Sequence, residues 1–235
     1  MIIKQFRYHN DNLAYVVHGE TQAIAIDGGA VSEILSYLKK HHLNLKYVCN
    51  THSHGDHTSG NRQLLKATGA TFVSIATLLS KNSWQIDNTL IKIYNTPGHS
   101  YDSVCFHIND WLISGDTLFN GTVGNCFTND ETSFVNSLTK IVALPDETII
   151  YAGHDYAKPA MKFAKKLALN LPAVDAFLKT YNPQHVFSTL AQEKSHNIFL
   201  QLNTSEITDL LQSKGLPIDN EAQRFRCLKE IEIWD

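Results

Sequence analysis

The 235-residue chain lacks an excess of charge of either sign, since 20 Lys and Arg residues stand against 23 Asp and Glu residues for a formal net charge of −3. Such a balance lacks the basic surface of a dedicated nucleic-acid-binding protein, so no nucleic-acid partner is expected. No apolar run is long enough to span a membrane, and the first twenty residues contain no signal-like stretch. We therefore expect a soluble, cytoplasmic protein that does not bind membranes.

Cysteine is also scarce, and the sequence contains no Cys-x-x-Cys motif. The four cysteines are scattered, and Cys49 and Cys105 lie within apolar runs that are typical of buried strands. This distribution indicates a reducing compartment rather than a disulfide framework. A chain of this length buries a core without structural metal, so a bound metal is expected to serve chemistry.

Alternating apolar residues and helical periodicity predict strands mixed with helices in residues 1–156 and a mainly helical region in residues 157–235. Predicted strands are 2–8, 13–18, 21–26, 47–49, 71–75, 89–94, 103–108, 111–114 and 148–151. Predicted helices are 31–41, 61–66, 132–144, 158–170 and 174–181. Beyond residue 158 only the last few residues have a strand-like pattern. The pattern thus divides the chain at about residue 156 into a mixed region and a mainly helical one.

Four lysines are concentrated in the predicted helix 158–170, and their spacing has two interpretations. The favoured one is an ordinary solvent-exposed helix face. The alternative is a local basic rim that meets an anionic substrate. The lysines concerned are Lys158, Lys162, Lys165 and Lys166.

A dense group of metal-binding residue types follows the predicted strand 47–49: His52, His54, Asp56 and His57 lie within six residues. Imidazole and carboxylate groups suit zinc, and also iron or manganese. Isolated histidines are usually structural or exposed, and we interpret seven of them in that way. They are His9, His18, His41, His42, His107, His185 and His196.

Three further candidate ligands each follow an apolar run and a glycine: His99 after Gly98, Asp116 after Gly115 and His154 after Gly153. A glycine lets the backbone bend tightly, so each side chain can be presented to a shared site. Polar residues at the ends of strands are common where α/β folds build their sites.

In this order the motifs resemble those of the metallo-β-lactamase superfamily, and the resemblance implies an α/β (α+β) fold, the αβ/βα sandwich, with a smaller C-terminal helical domain. Similarity to the glyoxalase II branch, the hydroxyacylglutathione hydrolases, implies two divalent metal ions, with zinc favoured and iron or manganese as alternatives. It assigns His52, His54 and His99 to one ion, Asp56, His57 and His154 to the second, and Asp116 to both.

The chemistry implied by these ligands is hydrolytic. Two cations about 3.5–4 Å apart share a water and lower its pKa from about 15.7 toward about 7. The resulting hydroxide would attack a carbonyl carbon while the metals stabilise the oxyanion. Asp116, as the bridge, and Asp56, as an acceptor for the proton of the water, are the predicted catalytic residues. Asp27 has two interpretations: it orients a ligand histidine from behind, or it caps the turn at Gly28-Gly29.

The C-terminal part also resembles glyoxalase II, in Gly153-His154-Asp155-Tyr156 and in the segments at 162–164, 188–193 and 197–200. The resemblance implies that residues 1–156 form a catalytic domain and that residues 157–235 form a smaller, mainly helical domain that binds substrate. It assigns substrate contacts to Tyr156, Asn125, Phe127 and Lys229.

Two positions depart from the pattern of that branch. Asn125 and Glu232 stand where it usually has basic residues, although a shifted alignment would pair Arg226 with Lys229 instead. Each lost charge-assisted contact should weaken binding about tenfold to a hundredfold.

The predicted reaction is hydrolysis of an S-2-hydroxyacylglutathione such as S-lactoylglutathione to a hydroxy acid and glutathione. The alternatives are an iron oxidoreductase like the persulfide dioxygenases, which uses only the first metal position, and a hydrolase of the same fold that acts on another thioester. Aromatic side chains at four positions could line a pocket, but core packing is the favoured interpretation for each. They are Tyr8, Phe119, Phe127 and Tyr156.

Overall fold

The computed structural model describes residues 1–167, 169 and 171–234. The strands are β1 (Ile2–Tyr8), β2 (Asn12–His18), β3 (Gln22–Ile26), β4 (Asn44–Cys49), β5 (Thr71–Phe72), β6 (Ser83–Ile86), β7 (Thr89–Asn95), β8 (Val104–Ile108), β9 (Trp111–Gly115), β10 (Ile149–Ala152) and β11 (Ser188–Thr189). The helices are α1 (Val31–Lys40), α2 (Gly55–Thr58), α3 (Asn61–Thr68), α4 (Ile75–Lys81), α5 (Glu131–Val142), α6 (Ala157–Lys166), α7 (Leu171–Thr180), α8 (Leu190–His196), α9 (Ser205–Ser213) and α10 (Glu221–Trp234), with a 3-10 turn at Ile198–Leu200.

The strands form two sheets, in the orders β1-β2-β3-β4-β5 and β11-β10-β9-β8-β7-β6. In the second sheet β7, β8 and β9 pair antiparallel in succession, and β10 pairs parallel with β9. It follows that β7, β9 and β10 run in the same direction. Their carboxyl ends therefore meet at one edge of the sheet, where three of the predicted ligand loops begin.

The two sheets pack face to face, as the alternation along β2 illustrates. Leu13, Tyr15 and Val17 belong to an apolar cluster between the sheets. Ala14 and Val16, on the opposite face, pack with residues of α1 and α3. Because both faces of β2 are covered, all seven of its residues are buried. A third cluster joins the second sheet to α5 and the C-terminal helices. The layers are thus helix, sheet, sheet, helix, which confirms the predicted αβ/βα sandwich and its C-terminal helical region.

Two strand-like patterns were assigned wrongly. The predicted strand 71–75 ends at Phe72, and Ile75 begins α4 because the Ser74 side chain accepts a hydrogen bond from the Thr77 backbone amide. The strand-like pattern at the carboxyl terminus lies within α10, where Phe225 and Leu228 are buried against the helical cluster. Tertiary packing overrides a weak local pattern in such cases.

The C-terminal region was predicted without strands before its last residues, yet Ser188–Thr189 pairs with β10 as the outermost strand of the second sheet. Positions 168 and 170 of the predicted helix 158–170, and position 235 of the predicted second domain, lie outside the described residues. In the part of the chain that the structure describes, no helix is both long and apolar enough to cross a membrane.

Candidate active site

The first group of predicted ligands lies where β4 ends and the short helix α2 begins. His54 is the extended residue before α2, and Asp56 and His57 are in its single turn. The Asn50 side chain donates a hydrogen bond of 2.7 Å to the carbonyl of His57, which holds the turn against the end of β4. The loop therefore directs alternate residues of the motif toward one point.

The remaining three predicted ligands follow β7, β9 and β10, and glycine allows two of them to approach. Gly115 has a φ of +52°, and a β-carbon there would lie 2.5 Å from Thr51 Oγ1. A β-carbon at Gly153 would lie 2.2 Å from Asp116 Oδ1. Any larger residue at either position would push these loops apart, so the glycines are required by close packing rather than by flexibility.

All seven predicted ligand residues converge. Their ligand atoms form three groups in which all atoms lie within 4.8 Å of one another: His52, His54 and His99; His52, His57 and Asp116; and Asp56, His57 and His154. The first and third groups are the two sets predicted from the sequence. Asp116 lies between them, since its Oδ2 is 3.4 Å from His99 Nε2 and 3.5 Å from His154 Nε2.

In four of the five histidines, an oxygen atom of another residue lies within hydrogen-bond distance of Nδ1, the ring nitrogen that faces away from the cluster. Nδ1 lies 3.0 Å from Thr51 Oγ1 for His52, 3.0 Å from Asp27 Oδ2 for His57, 3.0 Å from the Asn125 carbonyl for His99, and 2.8 Å from Asp11 Oδ1 for His154. A proton on Nδ1 leaves the lone pair of Nε2 directed inward, which is the tautomer that binds a metal.

Asp27 has the first of the two roles interpreted from the sequence, that of orienting a ligand histidine. Its carboxylate accepts hydrogen bonds from the backbone amide and hydroxyl of Thr51 and lies 3.0 Å from His57 Nδ1. Its carbonyl accepts from the Gly29 amide in the turn that follows. Because the side chain is fully buried, its charge acts on His57 with little screening.

Burial and neighbouring charges shift the titration of the cluster in opposite directions. Burial lowers the pKa of His52 and of His99 to about 4. Burial alone would also lower the pKa of His57, but Asp27 and Asp116 raise it to about 11. For Asp116 burial would raise the pKa, and the surrounding histidines, His57 foremost, hold it well below its usual range instead. The carboxylate is thus ionised at neutral pH.

The donor set fits divalent cations. The ring nitrogens His52 Nε2 and His99 Nε2 each lie 2.9 Å from His54 Nδ1, although two neutral imidazoles gain little by such crowding. Asp116 Oδ1 is buried and, among the described residues, accepts no hydrogen bond, although His57 Nε2 lies 3.3 Å away. A buried carboxylate oxygen of this kind calls for a partner, and a cation would supply one.

Sequence reasoning missed Asp11 and Asn12, where the turn after β1 leads into β2, and it gave Tyr8 of β1 only a packing role. Asp11 holds His154, as described above. Asn12 donates a hydrogen bond of 2.8 Å to Asp56 Oδ2, and the Tyr8 hydroxyl donates to the Asp56 carbonyl. In the sequence, Asp11 and Asn12 belong to a polar turn about 40 residues before His52. Nothing in the local sequence pattern connects this turn with a metal site.

A cavity of about 600 Å³ opens beside the cluster and is lined by His54, Asp56, His99, Asp116 and His154 on one wall, which we call the metal wall. Phe119, Phe127 and Tyr156 also line it. Phe119 is nevertheless buried, as the packing interpretation predicts, and that interpretation was wrong for Phe127. The Tyr156 ring stacks on His154, with centroids 5.1 Å apart and planes 4° apart. Phe127 is 62% exposed and contacts the edges of His54 and His99. Tyr8 is buried, in agreement with the packing interpretation.

Another wall of the cavity, the α10 wall, consists of Thr122, Val123, Lys229 and Glu232. Lys229 Nζ lies 2.5 Å from Glu232 Oε2 and donates to the Val123 carbonyl at 3.2 Å. Arg226 instead pairs with Glu131 outside the cavity. Asn125 lines the cavity as well, although its backbone carbonyl, rather than its side chain, contacts His99.

The cluster of lysines in α6 divides between two surroundings. Lys162 and Lys166 line the cavity, which corresponds to the alternative interpretation of a basic rim. Lys165 pairs with Asp175 at 2.5 Å, and Lys158 lies over the Tyr181 ring at 5.5 Å. All four lysines are exposed, as the favoured interpretation of a solvent-exposed helix face predicts, and two of them also lie at the cavity.

A buried carboxylate from the C-terminal region fixes the loop that carries Thr122. Glu193 is fully buried and accepts hydrogen bonds from the Gly121 amide at 2.9 Å and the Asn197 amide at 2.9 Å. Asn197 also donates to the Thr122 carbonyl at 3.0 Å. The position of the α10 wall thus depends on residues about seventy positions apart in the chain.

The chain matches two family models and is similar to several known proteins. A model described as the metallo-beta-lactamase superfamily matches residues 9–89 and 87–154, and one described as the hydroxyacylglutathione hydrolase C-terminus matches residues 155–232. A hydroxyacylglutathione hydrolase of Pelagibacter ubique is 32% identical over 228 residues, which cover 88% of this chain and 95% of the relative. One from Bartonella henselae is 33% identical over 223 residues, covering 86% and 88%.

Solved structures show the same fold. The crystal structure of ETHE1 from Myxococcus xanthus has a TM-score of 0.65 at 24% identity and covers 97% of this chain and all of that one. The BLEG-1 B3 metallo-beta-lactamase has a TM-score of 0.64 at 22% identity, with coverage of 85% and 99%.

Proposed function

The chain belongs to the hydroxyacylglutathione hydrolase family of the metallo-β-lactamase superfamily, and we infer from this that it is a metal-dependent thioester hydrolase. We propose that its substrates are S-2-hydroxyacylglutathiones such as S-lactoylglutathione, which water cleaves to a hydroxy acid and glutathione. One observation carries the proposal: seven metal-binding side chains converge, five of them line a cavity, and the C-terminal region that matches the hydrolase family supplies most of the remaining lining.

We further propose that two divalent ions bind here, one to His52, His54 and His99 and one to Asp56, His57 and His154, with Asp116 contacting both. Zinc is the proposed metal because imidazole and carboxylate suit it, with iron and manganese as alternatives. When bound, the ions would supply Lewis acidity and acidify a water molecule. The presence of the third group, around Asp56, supports a two-metal hydrolase over an oxidoreductase that uses only the first position.

The residues of the chain have separate parts in the reaction. Asp56 is 39% exposed in its side chain and borders the cavity, so its carboxylate is the proposed acceptor for the proton of the attacking water. Burial alone would raise the pKa of Asp56, but Asn12 and His57 lower it, so it is ionised and ready to accept. The thiol departs as a thiolate, which needs no strong acid, and Tyr156 and Phe127 are positioned to pack along the thiol.

The division of labour predicted from the sequence remains a proposal: residues 1–156 carry the reacting groups, and residues 157–235 bind the thiol. In its support, Lys162, Lys229 and Glu232 reach the cavity from the second region. Tyr156, Asn125, Phe127 and Lys229 are the proposed substrate contacts, all of which line the cavity.

The test is steady-state hydrolysis of S-lactoylglutathione by the metal-loaded protein, with metal content measured by mass spectrometry. We expect turnover with two metals per chain, and loss of nearly all turnover in Asp116→Ala. Asp146→Ala, an exposed carboxylate that pairs with Lys194, is the control and should retain activity. Two bound metals without turnover would reject glutathione as the thiol. One bound iron together with oxygen uptake on glutathione persulfide would reject the hydrolase.

A further inference from the structure

The cationic group on the α10 wall is already compensated by the protein. Lys229 is 9% exposed, and its ammonium contacts Glu232 Oε2 at 2.5 Å and the Val123 carbonyl at 3.2 Å. It also lies 5.0 Å from the centroid of the Phe199 ring. Since an ammonium has only three donor hydrogens, two of them are committed to acceptors within the chain.

Glu232 is held in this position from its other side. Its Oε1 accepts a hydrogen bond of 2.8 Å from Thr122 Oγ1, and Thr122 lies in the loop that Glu193 and Asn197 fix. The side chain of Glu232 is only 19% exposed, so solvent screens its charge poorly. The carboxylate is therefore a fixed part of the wall and not a mobile counter-ion.

An anionic group that approached Lys229 from the cavity would meet this second carboxylate. Like charges in a half-buried site repel each other, and the approaching group would also have to displace hydrogen bonds that Lys229 already makes. The α10 wall therefore favours contact with neutral parts of a ligand, and Glu232 repels a ligand carboxylate.

Cationic side chains reach the same cavity on a different element, α6. Lys162 is exposed and lines the cavity, one turn of helix beyond Lys158, which does not line it. The flexible Lys162 ammonium on the rim of the cavity can follow an anionic ligand group at little steric cost, although salt would screen it more than a buried cation.

We propose that Glu232 prevents Lys229 from binding the anionic end of the substrate, and that Lys162 on α6 binds this end instead. The inference rests on the proposed function, since it concerns the glutathione half of that substrate, which carries two carboxylates and one ammonium. Glu232 is thus a specificity-determining residue that acts through Lys229, and Lys162 is a binding residue.

The experiment compares two thioesters of the same acyl group, S-lactoylglutathione and the neutral S-lactoyl-N-acetylcysteamine, with metal-loaded wild type and three variants. Lys162→Met keeps the aliphatic length but removes the charge, and Lys158→Met is its matched control on the same helix. Glu232→Gln keeps an oxygen for Thr122 but removes the negative charge next to Lys229.

We expect Lys162→Met to raise the ratio of the KM for the glutathione thioester to the KM for the neutral thioester about tenfold, and high salt to abolish the difference. Glu232→Gln should lower the same ratio about tenfold, with kcat for each substrate changed less than twofold. Lys158→Met should leave the ratio as in wild type. Binding of S-methylglutathione by calorimetry should follow the same order without turnover.

An unchanged ratio and unchanged S-methylglutathione affinity in either Lys162→Met or Glu232→Gln would overturn the proposal. So would an equal change for both thioesters, because a merely structural effect does not distinguish charge. These outcomes are separate from failure of the proposed function: a wild type that hydrolyses neither thioester would reject the hydrolase, while the calorimetric order would still decide the roles of Lys162 and Glu232.

Discussion

The two walls of the cavity differ in how far the protein itself pairs their charged and polar groups. On the metal wall, buried histidines and carboxylates point their lone pairs at one another, and Asp116 Oδ1 accepts no hydrogen bond within the described chain. On the α10 wall, the one cation is matched by an anion, a carbonyl and an aromatic ring.

An unsatisfied cluster is ready for a ligand, whereas a compensated one resists it. A charged group can therefore bind a ligand when its hydrogen-bond and charge partners are missing from the protein, and its charge alone does not decide this. Residue type alone would make Lys229 the natural anion site of this cavity, yet its contacts direct the anion elsewhere.

Glu193→Ala should destabilise the loop that carries Thr122 in the α10 wall, and the metal content of the site should remain unchanged. Glu193 accepts hydrogen bonds from the Gly121 amide, Ser188, His196 and Asn197, and its loss leaves these buried donors unpaired. We expect the free energy of unfolding to fall by about 3–5 kcal/mol in urea denaturation, while the folded variant retains wild-type metal content. Glu147→Ala, at an exposed position, should change it by less than about 0.5 kcal/mol. A loss below about 1 kcal/mol in Glu193→Ala would contradict this role.

Asp27→Asn should weaken the metal wall from behind. The amide can still accept from the Thr51 backbone, but its NH₂ group cannot accept the proton of His57 Nδ1. We expect metal affinity, measured by chelator competition, and kcat/KM to fall about tenfold to a hundredfold. Asp146→Asn is the matched surface control. If Asp27→Asn bound metal as tightly as wild type, the position of His57 would be set by packing alone.

The metal-free protein should lose stability as the pH falls. Burial lowers the pKa of His52 and His99 to about 4, below the ordinary value of 6.5, so the unfolded chain binds protons that the folded chain refuses. Stability is then present above pH 6.5 and declines between pH 6.5 and 4. His57 has the opposite shift, so below pH 6.5 it is protonated in both states and contributes no slope.

We expect the free energy of unfolding of the chelator-treated protein to fall by about 1–2 kcal/mol between pH 6 and pH 5. His52→Gln, which removes one of the two titrating groups, should reduce the slope. The metal-loaded protein should show a steeper dependence in the same range, because metal binding releases protons from the ligand histidines and the folded form then binds still fewer protons than the unfolded chain. Equal slopes for the metal-free and metal-loaded forms would show that the cluster does not cause the dependence.

Tyr156→Phe should have the smallest effect. The ring stack on His154 survives the change, and only the hydroxyl, 3.4 Å from His154 Nδ1, is lost. Burial raises the pKa of Tyr156 to about 12, so the hydroxyl remains a hydrogen-bond donor at every practical pH. We expect KM for S-lactoylglutathione to rise about threefold to tenfold with kcat nearly unchanged. A large fall in kcat would instead place the hydroxyl in the reaction itself.

The motifs in the amino-acid sequence predicted which seven side chains converge, and their resemblance to a known superfamily implied the layered fold. His52, His54, Asp56 and His57 are close in space because they are close in the chain, and a strand end with a short turn leaves them little freedom. His99, Asp116 and His154 follow strands that share a direction, so sheet topology brings them to one edge. Local periodicity and glycine-bounded strand ends are the signals that a sequence displays most clearly.

Only the tertiary structure decided which groups stand behind the ligands and what lines the rest of the cavity. Asp11 contacts a histidine 143 residues away, and Thr122 contacts Glu232 across 110 residues. The sequence pattern shows Lys162 as one of four similar lysines, yet packing of α6 separates it from Lys158. Contacts between distant segments depend on the summed packing of the whole core, and no local pattern encodes them.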